Sequence, residues 1–181
     1  MRVGRMRGST AAAGSTVFFF LAPGIVAGLV PWLISSWEVR WPRSAPAVVV
    51  MTVGAVLLIV VIVVLVRAFA RFVIEGRGTP APVAPTERLV VGGEYRFVRN
   101  PMYVAVVGAV LAQAMIFGSL PLLGYGAIVW AVMAAFVHWY EEPALLTSYG
   151  DEYQRYRQAV PPWLPRLRPW RPDREPGNKA A

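Results

Sequence analysis

Residues 96–142 read RFVRNPMYVAVVGAVLAQAMIFGSLPLLGYGAIVWAVMAAFVHWYEE, and this stretch decides the fold. No Lys, Arg, Asp or Glu lies between Asn100 and Tyr140. Because a helix needs about 20 apolar residues to cross a bilayer, the run is long enough to cross twice. The segment 118–121 (GSLP) interrupts the run, and Gly and Pro punctuate helices. The stretch therefore predicts a helical hairpin that brings its basic start and its acidic end together on one side of a membrane.

The rest of the chain has the same apolar character. It is 56% hydrophobic and 15% charged, whereas soluble domains are about 25% charged. Two further charge-free runs, 8–37 and 44–66, are long enough to span. We predict an all-α integral membrane protein with a C-terminal cytoplasmic segment after the last span. It has about four transmembrane helices, near 15–36, 46–66, 101–117 and 120–139.

The first apolar run has an alternative interpretation as a signal peptide. Three arginines in the first seven residues resemble a basic n-region, and Ala22 or Ala27 offers a cleavage site. However, the run exceeds the usual apolar core of about 7–15 residues. Trp32 and Trp37 are typical of an interfacial belt. We therefore predict a retained helix.

The placement of charge predicts the orientation. Of the 18 Lys and Arg residues, only Arg40 and Arg43 fall between the first two spans. The others occupy the N-terminus, the 67–99 connection and the tail, which four spans place on one side. Basic loops mark the cytoplasm, so both termini are predicted to be cytoplasmic, in a cell inner membrane. The net charge of +8 then reflects topology and attraction to anionic lipid rather than nucleic-acid binding.

Composition also limits the chemistry. The chain has no cysteine, which excludes disulfides, thiol catalysis and thiolate metal sites. Its single histidine, His138, disfavours a histidine-built metal site, so no metal is predicted. His138 shares a helix face with Glu141 and Glu142, where it is either a general base or an interfacial residue.

Four regions follow from these patterns. Residues 1–75 form an N-terminal transmembrane helix pair, and 76–91 form a cytoplasmic linker rich in Pro and Gly. Residues 92–165 form a core of the helical hairpin and a closing segment. Residues 166–181 are predicted to be a disordered basic tail.

Small residues recur at helical spacing in both arms of the hairpin, and such residues let membrane helices approach closely. We therefore expect these two faces to pack on each other. They consist of Ala105, Gly108, Ala109 and Ala112 in the third helix and Gly124, Ala127, Ala131 and Ala134 or Ala135 in the fourth.

The adjacent acids Glu141 and Glu142 have two interpretations. Either they are solvated residues at a helix end, with Arg96 and Arg99 as positive-inside anchors, or they need a compensating partner, and their adjacency favours the second. Neighbouring carboxylates repel, and at a helix C-terminus they oppose the helix dipole. Successive side chains on a helix point about 100° apart, so we expect the two acids to do different jobs. We expect Glu141 to face the Arg99–Asn100 end of the hairpin.

Two elements carry a family resemblance: GEYRFVRNPMYVA, and about 40 residues later EEPALLTSYGDEYQRYRQAVPPWLP. Together they resemble the membrane methyltransferases typified by isoprenylcysteine carboxyl methyltransferase. The NPMY and EEP pieces are also similar to phosphatidylethanolamine N-methyltransferase. The resemblance covers roughly residues 92–165. It implies that the C-terminal cytoplasmic segment binds a cofactor, S-adenosyl-L-methionine. It also implies transfer of a methyl group from that cofactor to a lipophilic acceptor, a prenylcysteine-like carboxylate or a lipid amine, at the cytoplasmic membrane interface.

The resemblance also implies roles for particular residues. Many relatives have His where Asn100 stands, and often Gly where Ala105 stands. Arg99, Glu141 and Glu142 are expected to act in catalysis, and His138, Tyr156 and Trp163 are weaker candidates for substrate contact. The residues expected to bind the cofactor are Arg96, Arg99, Asn100, Pro101, Tyr103, Glu141, Glu142, Tyr149 and Tyr153.

A competing interpretation is a non-enzymatic small membrane protein, such as an assembly subunit or a transporter-like protein. A transporter buries ionisable groups at mid-membrane. The predicted spans carry none, and Gln113 is their one strongly polar interior residue, so an interfacial site is favoured. The acceptor and the oligomeric state stay open at this point.

Overall fold

A computed structural model describes residues 21–42, 44–76 and 89–171, and this part of the chain is helical with no strand. A 3₁₀ turn covers Gly93–Arg96, and π-helical turns cover Ile25–Leu29 within the first helix and Val137–Glu141 between the last two. The helices are α1 (Leu21–Ser35), α2 (Ala45–Gly76), α3 (Pro101–Phe117), α4 (Leu120–Phe136) and α5 (Glu142–Ala159).

Local signals explain the hairpin of α3 and α4. Pro101 stands at the first position of α3, where its missing N–H costs nothing. Gly118 ends α3 in the left-handed conformation (φ 64°), which glycine adopts without a steric penalty. Ser119 precedes α4, and Pro121 lies in its first turn. The bounds of α3 and the break after it are as the sequence predicts.

The central element is α3, which packs against α1, α2 and α4. Helix α2 runs antiparallel along it. At one end Gly54 of α2 lies against Ala112 and Met115, and towards the other end Val61 packs on Ala105 and Ala109. The small residues of α3 therefore let α2 approach closely.

The expectation that the two small-residue faces pack on each other is wrong. The face of α3 receives α2 instead, since a Cβ at Gly108 would lie 2.9 Å from Val61 Cγ1. In α4, Ala127 and Ala131 are exposed, and a Cβ at Gly124 would meet nothing within 4 Å. Helix α4 contacts α3 through other residues, including Gly126. Small-residue spacing indicates a close approach but does not identify the partner.

The one strongly polar residue of α3, Gln113, has a structural explanation in α1. Because Pro31 has no N–H, the carbonyls of Val26 and Ala27, five and four residues earlier, lack a backbone donor there. The Gln113 amide nitrogen donates to the Ala27 carbonyl at 2.7 Å, and the Tyr125 hydroxyl donates to the Val26 carbonyl at 3.0 Å. These bonds attach α1 to α3 and α4.

The outer surface of α2 is that of a helix in lipid. Among the described residues, two helical stretches are long and apolar enough to cross a membrane, Ala45–Arg71 and Leu120–Ala159, and the second leaves the helical conformation at Gly150 (φ 50°, ψ −125°). Two shorter apolar helices accompany them, Leu21–Ser35 and Pro101–Phe117. A contiguous apolar surface of this size is the mark of a membrane-contacting face. On α2 it consists of side chains that are 49–64% exposed, namely Val48, Val49, Val53, Val56, Ile59, Val60, Ile62, Val63 and Val66.

Two helices continue beyond the spans predicted for them. Helix α2 continues past 66 to Gly76, and its extension is held where Arg67 Nε donates to Glu94 Oε1 at 2.5 Å. Burial raises the pKa of the Glu94 carboxyl, but the hydrogen bond from Arg67, a backbone hydrogen bond and the positive charges of Arg67 and Arg71 together outweigh it, so the net pKa is lowered. Helix α4 does not stop near 139 but runs through the π-helical turn into α5. Pro143 permits this because it lies in the first turn of α5.

The close contact of α2 and α3 generates a stability prediction. A Cβ at Gly54 would lie 2.9 Å from the Ala112 carbonyl oxygen, which is backbone and cannot yield without moving a helix. We expect Gly54→Ala to lower the free energy of unfolding by about 1–3 kcal/mol through overpacking. Thermal unfolding in detergent measures the change.

The matched control is Gly124→Ala, which adds the same methyl group to a helix face with no neighbour. We expect it to unfold like the parent protein. Equal effects of the two substitutions would contradict the packing of α2 on α3.

Candidate active site

A buried ion pair joins the start of α3 to the start of α5. Arg99 Nη1 donates to Glu142 Oε1 at 2.6 Å, and the two side chains are only 9% and 10% exposed. The same Nη1 lies 3.2 Å from the Tyr153 hydroxyl. The hairpin thus brings the basic start of the quoted stretch against its acidic end, as predicted.

A second arginine, which sequence reasoning missed, completes this cluster. Arg157 Nη2 lies 3.2 Å from the other carboxylate oxygen, Glu142 Oε2. Glu142 is therefore held between two guanidinium groups. The signal was present in the sequence, since Arg157 follows Tyr153 by four residues and so shares its helix face.

Glu141 has a different partner. The Tyr103 hydroxyl donates to Glu141 Oε2 at 3.1 Å, and the Glu141 residue is half-buried. The expectation that Glu141 is the acid facing Arg99 is wrong, because Glu142 makes that contact. The physical reason is the π-helical turn that ends at Glu141. A π-helical turn holds about one residue more than an α-helical turn, so it shifts the residues after it around the helix, and Glu142 takes the direction that an unbroken α-helix would give to Glu141.

The chain after α5 folds back over the segment before α3. We call residues 160–171 the closing strap. It lies along 96–100 and is joined to it by five hydrogen bonds, four of them 2.6–2.9 Å long and the last 3.1 Å. They run from Arg99 N to Pro161 O, Arg166 N to Phe97 O, Trp170 N to Arg96 O, Arg96 Nε to Trp170 O and Asn100 Nδ2 to Pro162 O.

The strap changes the interpretation of two regions. Arg96 and Asn100, which we expected to contact a cofactor, each donate a side-chain hydrogen bond to the strap. Residues 166–171, which we expected to be part of a disordered tail, are ordered by backbone bonds to Phe97 and Arg96. The remainder of that tail, 172–181, and most of the 76–91 linker lie outside the described residues, as do residues 1–20.

Tyrosines form the support beneath the cluster. The buried Tyr156 hydroxyl donates to the Tyr95 carbonyl at 2.7 Å, and Tyr149 packs beside Tyr153 in the same apolar group. Burial also raises the pKa of the Tyr95 phenol well above its usual value. Pro101 is fully buried at the start of α3. Of the predicted site residues, these three, Tyr149, Tyr156 and Pro101, contribute packing.

Two predicted residues lie apart from the cluster. His138 is exposed, and its ring stands edge-on to Trp139 with the centroids 6.0 Å apart. Trp163 lies in the strap, where it packs edge-on against Trp130 of α4 at 6.2 Å. The structure therefore brings together Arg99, Tyr103, Glu141, Glu142 and Tyr153, and leaves His138 and Trp163 outside.

The cluster has unused capacity to donate a hydrogen bond. Arg99 Nε is buried and has no hydrogen-bond partner among the described residues. A buried donor without a partner costs about 1–3 kcal/mol, which a bound acceptor would recover. Within 21–42, 44–76 and 89–171, no three His, Cys, Asp or Glu side chains group in a way that could hold a metal ion. The arrangement suits an organic ligand that carries both charges and hydroxyl groups.

Comparison with known proteins gives a consistent result. A family model described as phospholipid methyltransferase matches residues 49–152, more than half of the chain. The chain is 32% identical over 78 residues to the protein-S-isoprenylcysteine O-methyltransferase of Schizosaccharomyces pombe, covering 42% of this chain and 33% of the relative. It is 30% identical over 79 residues to protein-S-isoprenylcysteine O-methyltransferase B of Arabidopsis thaliana, covering 43% of this chain and 40% of the relative. The chain thus spans less than half the length of each relative.

The different environments of the two acids generate a prediction. Glu142→Gln leaves Arg99 buried without its counter-charge, so we expect a loss of about 3–5 kcal/mol in the free energy of unfolding. Glu141→Gln keeps an acceptor for the Tyr103 hydroxyl, so we expect a loss of less than about 1 kcal/mol. Chemical or thermal unfolding of both variants in the same detergent measures the difference. Equal losses would show that the Arg99–Glu142 pair is not the structural one.

Proposed function

The chain belongs to the phospholipid methyltransferase family, and on that premise we propose that it is an integral membrane methyltransferase that uses S-adenosyl-L-methionine. It transfers the methyl group to a lipophilic acceptor at the cytoplasmic face of the membrane. The observation that carries the proposal is the buried Arg99–Glu142–Tyr153 cluster, whose Arg99 Nε lacks a partner among the described residues, at one end of an apolar helical bundle.

The residues of the cluster fit this cofactor. S-adenosyl-L-methionine has a carboxylate, an ammonium and a ribose diol, and it supplies an electrophilic methyl group when bound. Arg99 presents its buried Nε to a carboxylate, an interaction that a guanidinium makes strongly. Glu141 and Glu142 present carboxylate oxygens to an ammonium or to hydroxyl groups. Tyr103 and Tyr153 add hydroxyl groups beside them.

The chain's own residues then have two tasks. They orient the bound ligand, and they exclude water from it. Arg99 is fixed by Glu142 and Tyr153, so its guanidinium is held in place before a ligand arrives. The closing strap covers 96–100 and keeps water from that side. An alignment of reactants in a dry site supplies most of what a direct displacement needs.

Proton transfer depends on the acceptor. A carboxylate acceptor needs no base, whereas a protonated amine must lose a proton first. Both carboxylate oxygens of Glu142 are already engaged by guanidinium groups, those of Arg99 and Arg157. Glu141, held by the Tyr103 hydroxyl and half-buried, is the better base. The exposed His138 lies outside the hydrogen-bonded cluster.

Both candidate acceptors are lipophilic. The names of the two relatives favour a prenylcysteine-like carboxylate, and the description of the family favours a phospholipid amine. Either one brings its apolar part through the bilayer beside α2 and α4, and its reactive group to the cluster. The property that both acceptors share, and that defines the proposed substrate class, is a long apolar part.

We further propose four membrane spans, α1 to α4, with both termini in the cytoplasm. The position of the loop between α1 and α2 supports this topology. Trp41 Nε1 donates to the Met115 carbonyl at 2.7 Å and Arg40 N donates to the Phe117 carbonyl at 2.9 Å. Arg40 thus lies at the end of α3 opposite to Arg99, and the more basic end faces the cytoplasm.

Cofactor binding is the decisive test. In nanodiscs, the parent protein should bind S-adenosyl-L-methionine or its demethylated product, measured by calorimetry. Arg99→Lys keeps the charge but removes the donating fork, so we expect affinity to fall by about 1.5–3 kcal/mol, the worth of a charged hydrogen bond. Arg40→Lys, at the opposite end of the bundle, should bind like the parent. A folded parent protein that binds neither compound would restore the non-enzymatic interpretation.

The orientation is tested separately. A reporter that is active only in the cytoplasm should be active when it is fused after Ala181, because the end of the bundle that carries Arg99 is predicted to face the cytoplasm. A second fusion within the Arg40 loop should read as external. If the fusion after Ala181 reads as external, the four-span topology is wrong.

A further inference from the structure

The outward side of the closing strap exposes two large apolar side chains. Leu164 is 80% exposed and Leu167 is 99% exposed, although the backbone beside them is hydrogen-bonded to 96–99. Arg168 and Arg171 are exposed on the same short segment. Leucines held this far out by a fixed backbone indicate a surface that meets something apolar.

The strap is positioned against the membrane-facing flank of the bundle. Trp163 packs on Trp130, which is itself 47% exposed among the apolar outer residues of α4. Trp130 precedes the end of α4 at Phe136 by six residues, which is roughly 9 Å along the helix axis. Trp163 therefore lies beside the apolar flank of α4, and Leu164 follows it directly.

The charged residues from Tyr153 to Arg171 have one sign, and all of them except Arg157, which pairs with Glu142, lie outside the ion pairs described above. No Asp or Glu occurs from Tyr153 to Arg171, whereas five arginines do, Arg155, Arg157, Arg166, Arg168 and Arg171. Arginines interleaved with Trp and Leu are typical of segments that lie in a membrane interface. Such segments gain affinity from anionic headgroups.

We propose that the outer surface of the closing strap, formed by Leu164, Leu167, Arg168 and Arg171, docks on the anionic lipid of the bilayer that surrounds the bundle. The two leucines enter the boundary between headgroups and acyl chains, and the two arginines contact lipid phosphates. This binding surface is separate from the Arg99 cluster and does not depend on methyl transfer.

The chain offers a clean probe because it has no cysteine. Leu167→Cys creates a single site for a polarity-sensitive fluorophore in the full-length protein. In proteoliposomes that contain phosphatidylglycerol, we expect the emission to shift to the blue and to be quenched by brominated lipid. In vesicles of phosphatidylcholine alone we expect several-fold less quenching. Leu164→Cys repeats the measurement if the first variant folds poorly.

Gln154→Cys is the positional control. Gln154 is exposed on α5, on the polar face it shares with Asp151 and Gln158, so its label should not be quenched in either lipid. The charge control uses the labelled Leu167→Cys protein with a second substitution. Arg168→Gln should raise the phosphatidylglycerol content needed for half-maximal quenching by about fivefold. Arg40→Gln removes the same charge at the far end of the bundle and should leave it unchanged.

Three results would overturn the proposal. One is an unquenched label at Leu167 and Leu164 in every lipid. Another is quenching that depends neither on the phosphatidylglycerol content nor on the Arg168→Gln substitution, which would mean apolar contact without headgroup recognition. The third is a blue shift that disappears when the protein is diluted tenfold in lipid, which would mean that a second copy of the chain covers the strap.

Discussion

The end of the helical bundle where α3 and α5 begin depends on one interaction, the buried ion pair of Arg99 and Glu142. It closes the loop made by α3 and α4, because it ties Arg99, two residues before α3, to the first residue of α5. A buried pair of charges is stable only if its remaining donors and acceptors are satisfied. Tyr153 and Arg157 supply part of that requirement, so α5 must lie where both reach the pair. The orientation of α5 and the path of the strap after it follow from this constraint.

Much of the fold could be predicted because its signals are local. The absence of charge between Asn100 and Tyr140 and the break at Gly118 set the bounds of α3. The meeting of Arg99 with the acidic pair follows from the hairpin alone. The partner of the small-residue face of α3 could not be predicted, since the same spacing suits α2 and α4 equally. The continuation of α4 into α5 could not be predicted either. A proline such as Pro143 is equally typical of the residue after one helix and of the first turn of the next.

The candidate site was predictable in its residue types but not in its detail. Which of two adjacent acids faces Arg99 depends on a π-helical turn, and no composition signal marks that turn. The order of residues 166–171 depends on backbone groups that pair with 96 and 97, and backbone pairing leaves little trace in side-chain composition. An Arg- and Pro-rich segment therefore resembles a disordered tail in sequence even where it is part of the structure.

The closing strap has a consequence for biosynthesis. The helices of the hairpin are made well before the strap, and a membrane-inserted bundle can assemble from them as they leave the ribosome. Residues 96–100, however, lack the partners of these backbone and side-chain hydrogen bonds until Pro161 to Trp170 have been translated. A chain that stops at the end of α5 would therefore insert normally, yet its arginine segment would lie open on one side. Completion of the candidate site is therefore coupled to synthesis of residues 161–170, and a bundle that is still being made lacks the contacts that hold 96–100.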